Sequence, residues 1–215
     1  MGLQCFPKFQ QLLKQGHYPA MMGFKGDAGD ITRLSNRVRL ARSFRSLDLE
    51  GYSKDTVAGY NAFFQVFLTH SALERYLTAI NIGLDGLDIL LKARQPEAVL
   101  KEFHCKDKDN RLFNFLHERV NKKLKVKLEE CRSGSCTNVA YVSACIRHIF
   151  AHGELTANTH RINPKQTYCC CKKVSDFLLD FMDSDFDARL ERYCLKKGVD
   201  IPSGVPGGRA TITTE

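Results

Sequence analysis

The stretch SKDTVAGYNAFFQVFLTHSALERYLTAINI, residues 53–82, decides the fold class. Its apolar residues Val57, Tyr60, Phe64, Phe67, Leu68, Leu73, Leu77 and Ile80 recur at the three- and four-residue intervals that gather side chains on one face of an α-helix. No proline interrupts it, since none occurs between Pro19 and Pro96. A helix this long with an apolar stripe needs partners to cover it, and the flanking segments supply them. Residues 30–46 interleave arginines with Ile31, Leu34, Val38, Leu40, Ala41 and Phe44, which predicts a strongly basic amphipathic helix, and a turn is expected near Gly51. Residues 84–93 predict a short helix that ends before Pro96.

Further along, residues 109–131 predict one helix with Asp109 as its N-cap and Leu112, Phe115, Leu116, Val120 and Leu124 along one stripe. The Ser133-Gly134-Ser135 turn breaks it. Thr137 or Asn138 then caps a helix through Val142, Ile146 and Ile149, with Gly153 as its natural stop. Residues 154–164 read as loop, and a last helix spans 165–197 with room for an interruption at Asp183-Ser184-Asp185. No internal repeat or convincing strand is found. The expectation is an all-α, up-and-down helical bundle over residues 51–197. A basic helical extension (1–50) precedes it, and a disordered tail (198–215) rich in Gly, Pro and Thr follows.

Hydrophobic residues make up 43% of the chain, enough for a core that needs no disulfide or metal staple. No run of about 18 apolar residues appears, so no membrane partner is expected. The N-terminus lacks the pattern of a secretory signal, and Phe6 stands where a myristoylation motif favours Ser or Thr. The nine cysteines are an odd number, so reduced thiols in a cytoplasmic protein are the expectation. A formal charge of +8 points to polyanionic partners, nucleic acid first.

Candidate chemistry concentrates in Arg147-His148-Ile149-Phe150-Ala151-His152, at the end of a helix that runs into Gly153. An Arg, a polar residue, a short mostly apolar stretch and a His in this order resemble the signature of the HEPN superfamily. The likeness extends more loosely over residues 55–182, with Ala72-Leu73-Glu74-Arg75-Tyr76-Leu77 similar to the first long helix of such domains. The resemblance implies a four- to five-helix bundle, frequent homodimers and often metal-independent RNA cleavage, with no cofactor. It also allows catalytically inactive members that bind nucleic acid, a nucleotide or a protein partner. In one subset of toxins a Tyr two positions after the motif His is modified by a partner enzyme. Glu154 stands there in this chain, which departs from that style of control.

The residue types suit that chemistry. Attack by a ribose 2′-hydroxyl needs one group to take its proton and another to protonate the leaving oxygen, and histidine does either near neutral pH. On this reading His152 is the general base or acid, and His148 orients a phosphate or transfers the second proton. Arg147 stabilises charge on the phosphoryl oxygens, and Glu74 holds Arg147 or a histidine. Residues five apart on an ideal helix point about 140° apart. Either the helix unwinds near Gly153 or two protomers join their motifs, and the second option predicts a homodimer. The basic runs supply candidates to track RNA, namely Arg39 and Arg42 in the first and Lys122, Lys123 and Lys125 in the second. A bland reading stands beside this one. Arg147 pairs with an acid such as Glu74, Glu118 or Glu154, and His152 caps a helix C-terminus.

Two other signals carry less. Cys169-Cys170-Cys171 tempt a metal reading, but consecutive helical residues diverge by about 100°, and no Cys-x-x-Cys pair exists, so packing or free thiols are expected. Cys145 and His148 have the spacing of a nucleophile and its base, without an orienting partner.

Overall fold

The structure, a computed structural model, describes residues 2–153 and 163–199. Every regular element among them is helical. The order is α1 (Phe6–Lys14), α2 (Ala28–Ser43), α3 (Lys54–Ile80), α4 (Leu87–Leu91), α5 (Pro96–Lys106), α6 (Arg111–Arg119), α7 (Lys122–Ser133), α8 (Ala140–Ala151) and α9 (Pro164–Lys197), with short 3-10 turns between some of them. Helix α3 is the hub, with α9, α2 and α8 packed around it.

Local chemistry sets these boundaries. At the start of α2 the Asp27 carboxylate accepts from the Asp30 amide at 2.6 Å while Asp30 returns a bond to the Asp27 amide at 3.3 Å, a capping box. Ser53 caps α3, and Asn81 closes it in the left-handed region at φ 55°. Asn138 accepts from the Ala140 amide at 3.0 Å at the start of α8, and its amide donates to the Leu84 carbonyl at 2.8 Å. Gly153, at φ 71°, follows the end of that helix.

The segment expected as one helix over 109–131 is instead two. Val120 is extended (ψ 162°), and the Asn121 side chain accepts from the Leu124 amide at 3.1 Å, so α7 begins afresh. Asp109 is no cap. It sits at φ 58°, and Asp107 takes its place, accepting from the Leu112 and Phe113 amides at 2.8 Å each. Helix α5 was not announced by any pattern, but Pro96 at its first position suits a helix start. The loop expected over 154–164 and the tail expected over 198–215 lie almost wholly outside the described residues.

No interruption occurs in α9, because its acidic middle is bonded from both sides. Asp183 accepts from the Gln4 amide at 2.7 Å and from both terminal nitrogens of Arg42 at 3.1 Å. Asp185 accepts from the Tyr76 hydroxyl and from Arg189 at 2.8 Å. The first fifty residues are therefore stitched into the bundle. Phe9 packs edge-on against Phe24 and Phe186, and Leu3, Leu12, Ile31, Leu34 and Val38 share one core with α3 and α9.

This geometry also relocates Arg42. It was expected on a nucleic-acid face, but only 17% of its side chain is exposed, and its guanidinium is committed to Asp183 and to the Gly2 carbonyl at 3.0 Å. Removing one member of a buried ion pair strands the other charge. Arg42→Ala is therefore expected to lower the unfolding free energy by about 3 kcal/mol or more in urea. Arg39→Ala, exposed on the same helix, is expected to change it by less than about 0.5 kcal/mol. Equal effects from the two substitutions contradict this assignment.

Candidate functional site

Helix α8 delivers Arg147 to its solvent edge, where 42% of the side chain is exposed. One terminal nitrogen lies 3.4 Å from Glu74 Oε1 on α3, so the expected partnership between these two residues is present. The same carboxylate oxygen lies 3.8 Å from Nε2 of His70, one turn earlier on α3. That separation is too long for a hydrogen bond.

His70 did not emerge from the motif reading. Its ring is 4% exposed, and Nδ1 lies 2.8 Å from the Ser143 hydroxyl of α8. Ser143 donates its only proton to the Ala140 carbonyl at 2.8 Å, so Nδ1 of the neutral ring carries the hydrogen and Nε2 is left as an acceptor. Burial first, and the nearby Arg147 charge second, push the His70 pKa down to about 4. The imidazole is thus a neutral strut that ties α3 to α8 beneath Glu74 and Arg147. The histidine–glutamate spacing of four on one helix was the available signal.

The other two motif residues form a second pair. His148 and His152 meet edge to face, with ring centroids 4.6 Å apart. The His152 amide still donates to the His148 carbonyl at 3.2 Å, so the chain has not unwound before Gly153. Among the described residues no hydrogen bond or ion pair joins Arg147 to His152. Beside them four half-buried rings form a continuous cluster. Phe64 meets Phe44, Phe67 and Phe150 at 5.1, 6.1 and 5.9 Å, and Phe67 meets Phe150 at 5.3 Å.

The basic residues are dispersed. Lys122 is exposed, and Lys123 lies 3.4 Å from Asp85. Lys125 lines a shallow depression with His117, Val126 and Glu129. This lysine run belongs to the far end of α8, because its neighbour Lys127 lies over the Tyr141 ring, six residues or about 9 Å along the helix from Arg147. Arg39 is exposed, whereas Arg42 is largely covered and paired with Asp183.

The cysteines divide between core and surface. Cys170 and Cys171 pack in the core, and Cys169 faces solvent. Burial pushes the Cys170 thiol up to about 12. Cys145 is fully buried and its thiol is also pushed up by desolvation, so it does not supply a thiolate to His148. Compared with known proteins, the chain matches no family model, no curated protein and no solved structure.

The buried histidine makes a measurable prediction. Its folded pKa lies below the ordinary histidine value of 6.5, so between 6.5 and about 4 the unfolded chain binds a proton that the folded chain refuses. Stability from this group is present above that window and is lost as pH falls through it, by up to about 3 kcal/mol. Urea unfolding of wild type and His70→Gln at about pH 7 and about pH 4.5 should show a smaller acid-induced loss in the variant. An identical loss in both proteins removes His70 from the account.

Proposed function

We propose that the chain is a HEPN-type, metal-independent endoribonuclease that acts as a homodimer. The observation that carries this reading is the half-exposed Arg147 guanidinium, held by Glu74 across α3 and α8, with two accessible imidazoles on the last turn of the same helix. In the proposed step the ribose 2′-oxygen attacks the adjacent phosphorus while an imidazole takes its proton. The bond from phosphorus to the 5′-oxygen breaks, and an imidazolium protonates that oxygen. The products are a 2′,3′-cyclic phosphate and a 5′-hydroxyl. Arg147 neutralises the charge that builds on the non-bridging oxygens.

The attacking and leaving oxygens lie roughly in line, on opposite sides of the phosphorus. Two rings in contact at 4.6 Å lie together on one side, so His148 and His152 of one chain do not bracket the phosphate by themselves. Two copies of the motif facing across a two-fold axis do. The half-buried cluster of Phe44, Phe64, Phe67 and Phe150 supplies an apolar seam for that pairing. The function class is a toxin or a stress or antiviral effector in the cytoplasm, with RNA as substrate and an antitoxin or other regulatory protein as its control.

A second reading is a catalytically inactive helical module that binds nucleic acid, a nucleotide or a protein. The Glu74–Arg147 ion pair favours it, because the carboxylate offsets the cation that a phosphate would seek.

Labelled single-stranded RNA incubated with the purified protein and a chelator separates the two readings. Wild type should release 2′,3′-cyclic phosphate ends, while Arg147→Ala and His152→Ala should each slow cleavage by about a hundredfold or more. Helical content should be unchanged, since both side chains are exposed or half-exposed. Equal cleavage by all three proteins, or none by any, rules out the nuclease.

A further inference from the structure

We infer that Arg37 on α2 is a second phosphate-binding arm, so that an RNA strand held at Arg147 continues across the outer face of α3 toward α2. The inference rests on the RNA reading above and extends it to a residue outside the motif.

The argument begins with the phase of α3. Its buried positions include Ala62, Phe63, Val66, Thr69, His70, Ala72, Leu73, Tyr76 and Leu77. Among the positions that remain, Ser71, Glu74, Arg75 and Thr78 continue past the Phe64–Phe67 seam as a strip at three- and four-residue spacing, none of them fully buried. One edge of the strip is α8, through His70 to Ser143, Glu74 to Arg147 and Phe67 to Phe150. The other edge is α2, through Gln65 donating to the Ala41 carbonyl at 2.8 Å, Phe44 against Phe64, and Arg37 donating to the Ser71 hydroxyl.

Two guanidiniums therefore reach the same strip from opposite sides. One is anchored at Ser71 and the other at Glu74, positions three apart whose Cβ atoms on a helix lie roughly 5–6 Å from each other. Arg37 differs from its neighbours on α2 in what it touches. Arg33 pairs with Asp30 at 2.8 Å, and Arg42 pairs with Asp183. Arg37 is exposed, and among the described residues no carboxylate lies within ion-pair distance of it. A neutral hydroxyl orients the group and occupies one of its five N–H donors, leaving its charge uncompensated. Arg75 lies one turn beyond Ser71. Counting Arg33, Arg37, Arg75 and Arg147 as four positive charges, and Glu74 with Asp30, which acts on both Arg33 and Arg75, as two negative, this face carries a formal excess of two. A ligand with successive phosphates fits such a strip, and its affinity falls with salt through counterion release.

The test measures binding of a labelled single-stranded oligoribonucleotide to the full chain carrying His152→Ala, which removes cleavage from the readout. Added to that background, Arg37→Gln should weaken binding by on the order of tenfold, the size of one charge-assisted contact. It should also flatten the dependence of log affinity on log salt by about 0.7, the contribution of one phosphate contact to a single strand. Arg37→Lys should recover much of both. Arg192→Gln is the control. Arg192 is exposed near the end of α9, away from the strip, and should leave affinity within about twofold. In the cleaving protein, Arg37→Gln should raise KM and leave kcat at saturation unchanged. If Arg37→Gln binds like its background with the same salt slope while Arg147→Ala abolishes cleavage, the inference falls and the nuclease stands. If the salt slope drops but wild type cleaves nothing, the arm stands and the nuclease falls. If the chain binds no RNA, the arm falls with it.

Discussion

A carboxylate inside a helical bundle must find donors or give up its charge, and α9 carries two such groups in its middle. Asp183 and Asp185 are two residues apart, so they leave the helix in nearly opposite directions. Asp183 draws in Arg42 and the Gln4 amide, while Asp185 draws in Tyr76 and Arg189. One helix is thereby fixed against α2 and the N-terminal segment on one side and against α3 on the other. With α9 and α2 placed, α8 takes a further flank of α3, and among the described residues the outer strip stays open to solvent. The candidate site sits on that strip, so its position follows from polar demands in the core on the opposite side of α3.

The strut between α3 and α8 obeys the same rule on a smaller scale. A buried imidazole is tolerable when it is neutral and its N–H has an acceptor, and the Ser143 hydroxyl provides one. Keeping His70 neutral avoids a second cation beside Arg147, which leaves Glu74 free to serve the guanidinium alone. The half-exposed Arg147 is therefore oriented by an acid that it does not share with a charged imidazole.

Much of the architecture was legible from periodicity. The extents of α2 and α3, the stop at Gly153 and the fully helical content follow from the three- and four-residue spacing and from ordinary capping chemistry. The rest depended on tertiary partners. The break at Val120 was hidden because apolar stripes continue through it, and only the Asn121 cap reveals a new start. The interruption for which α9 left room does not occur for the opposite reason, since three polar residues in a row look like a loop until Arg42 and Tyr76 are placed beside them. The Glu74–Arg147 pair was expected and is present. Choosing among the arginines of α2 was beyond the sequence, because helical phase says which residues share a side without saying what lies there. Arg42 meets a buried aspartate and Arg37 a hydroxyl, and that difference separates a structural cation from an available one.

The bond between Gln4 and Asp183 joins residues 179 apart in sequence. A contact of that span closes only after Asp183 has been made, on the order of ten to forty seconds after Gln4 at ordinary rates of synthesis. On a ribosome α1 waits for Asp183 and Phe186 to be made, and α3, already able to pair with α2, lacks its largest neighbour for the same interval. The outer strip, edged by α2 and α8, can therefore take shape on the nascent chain before the opposite face of α3 is covered.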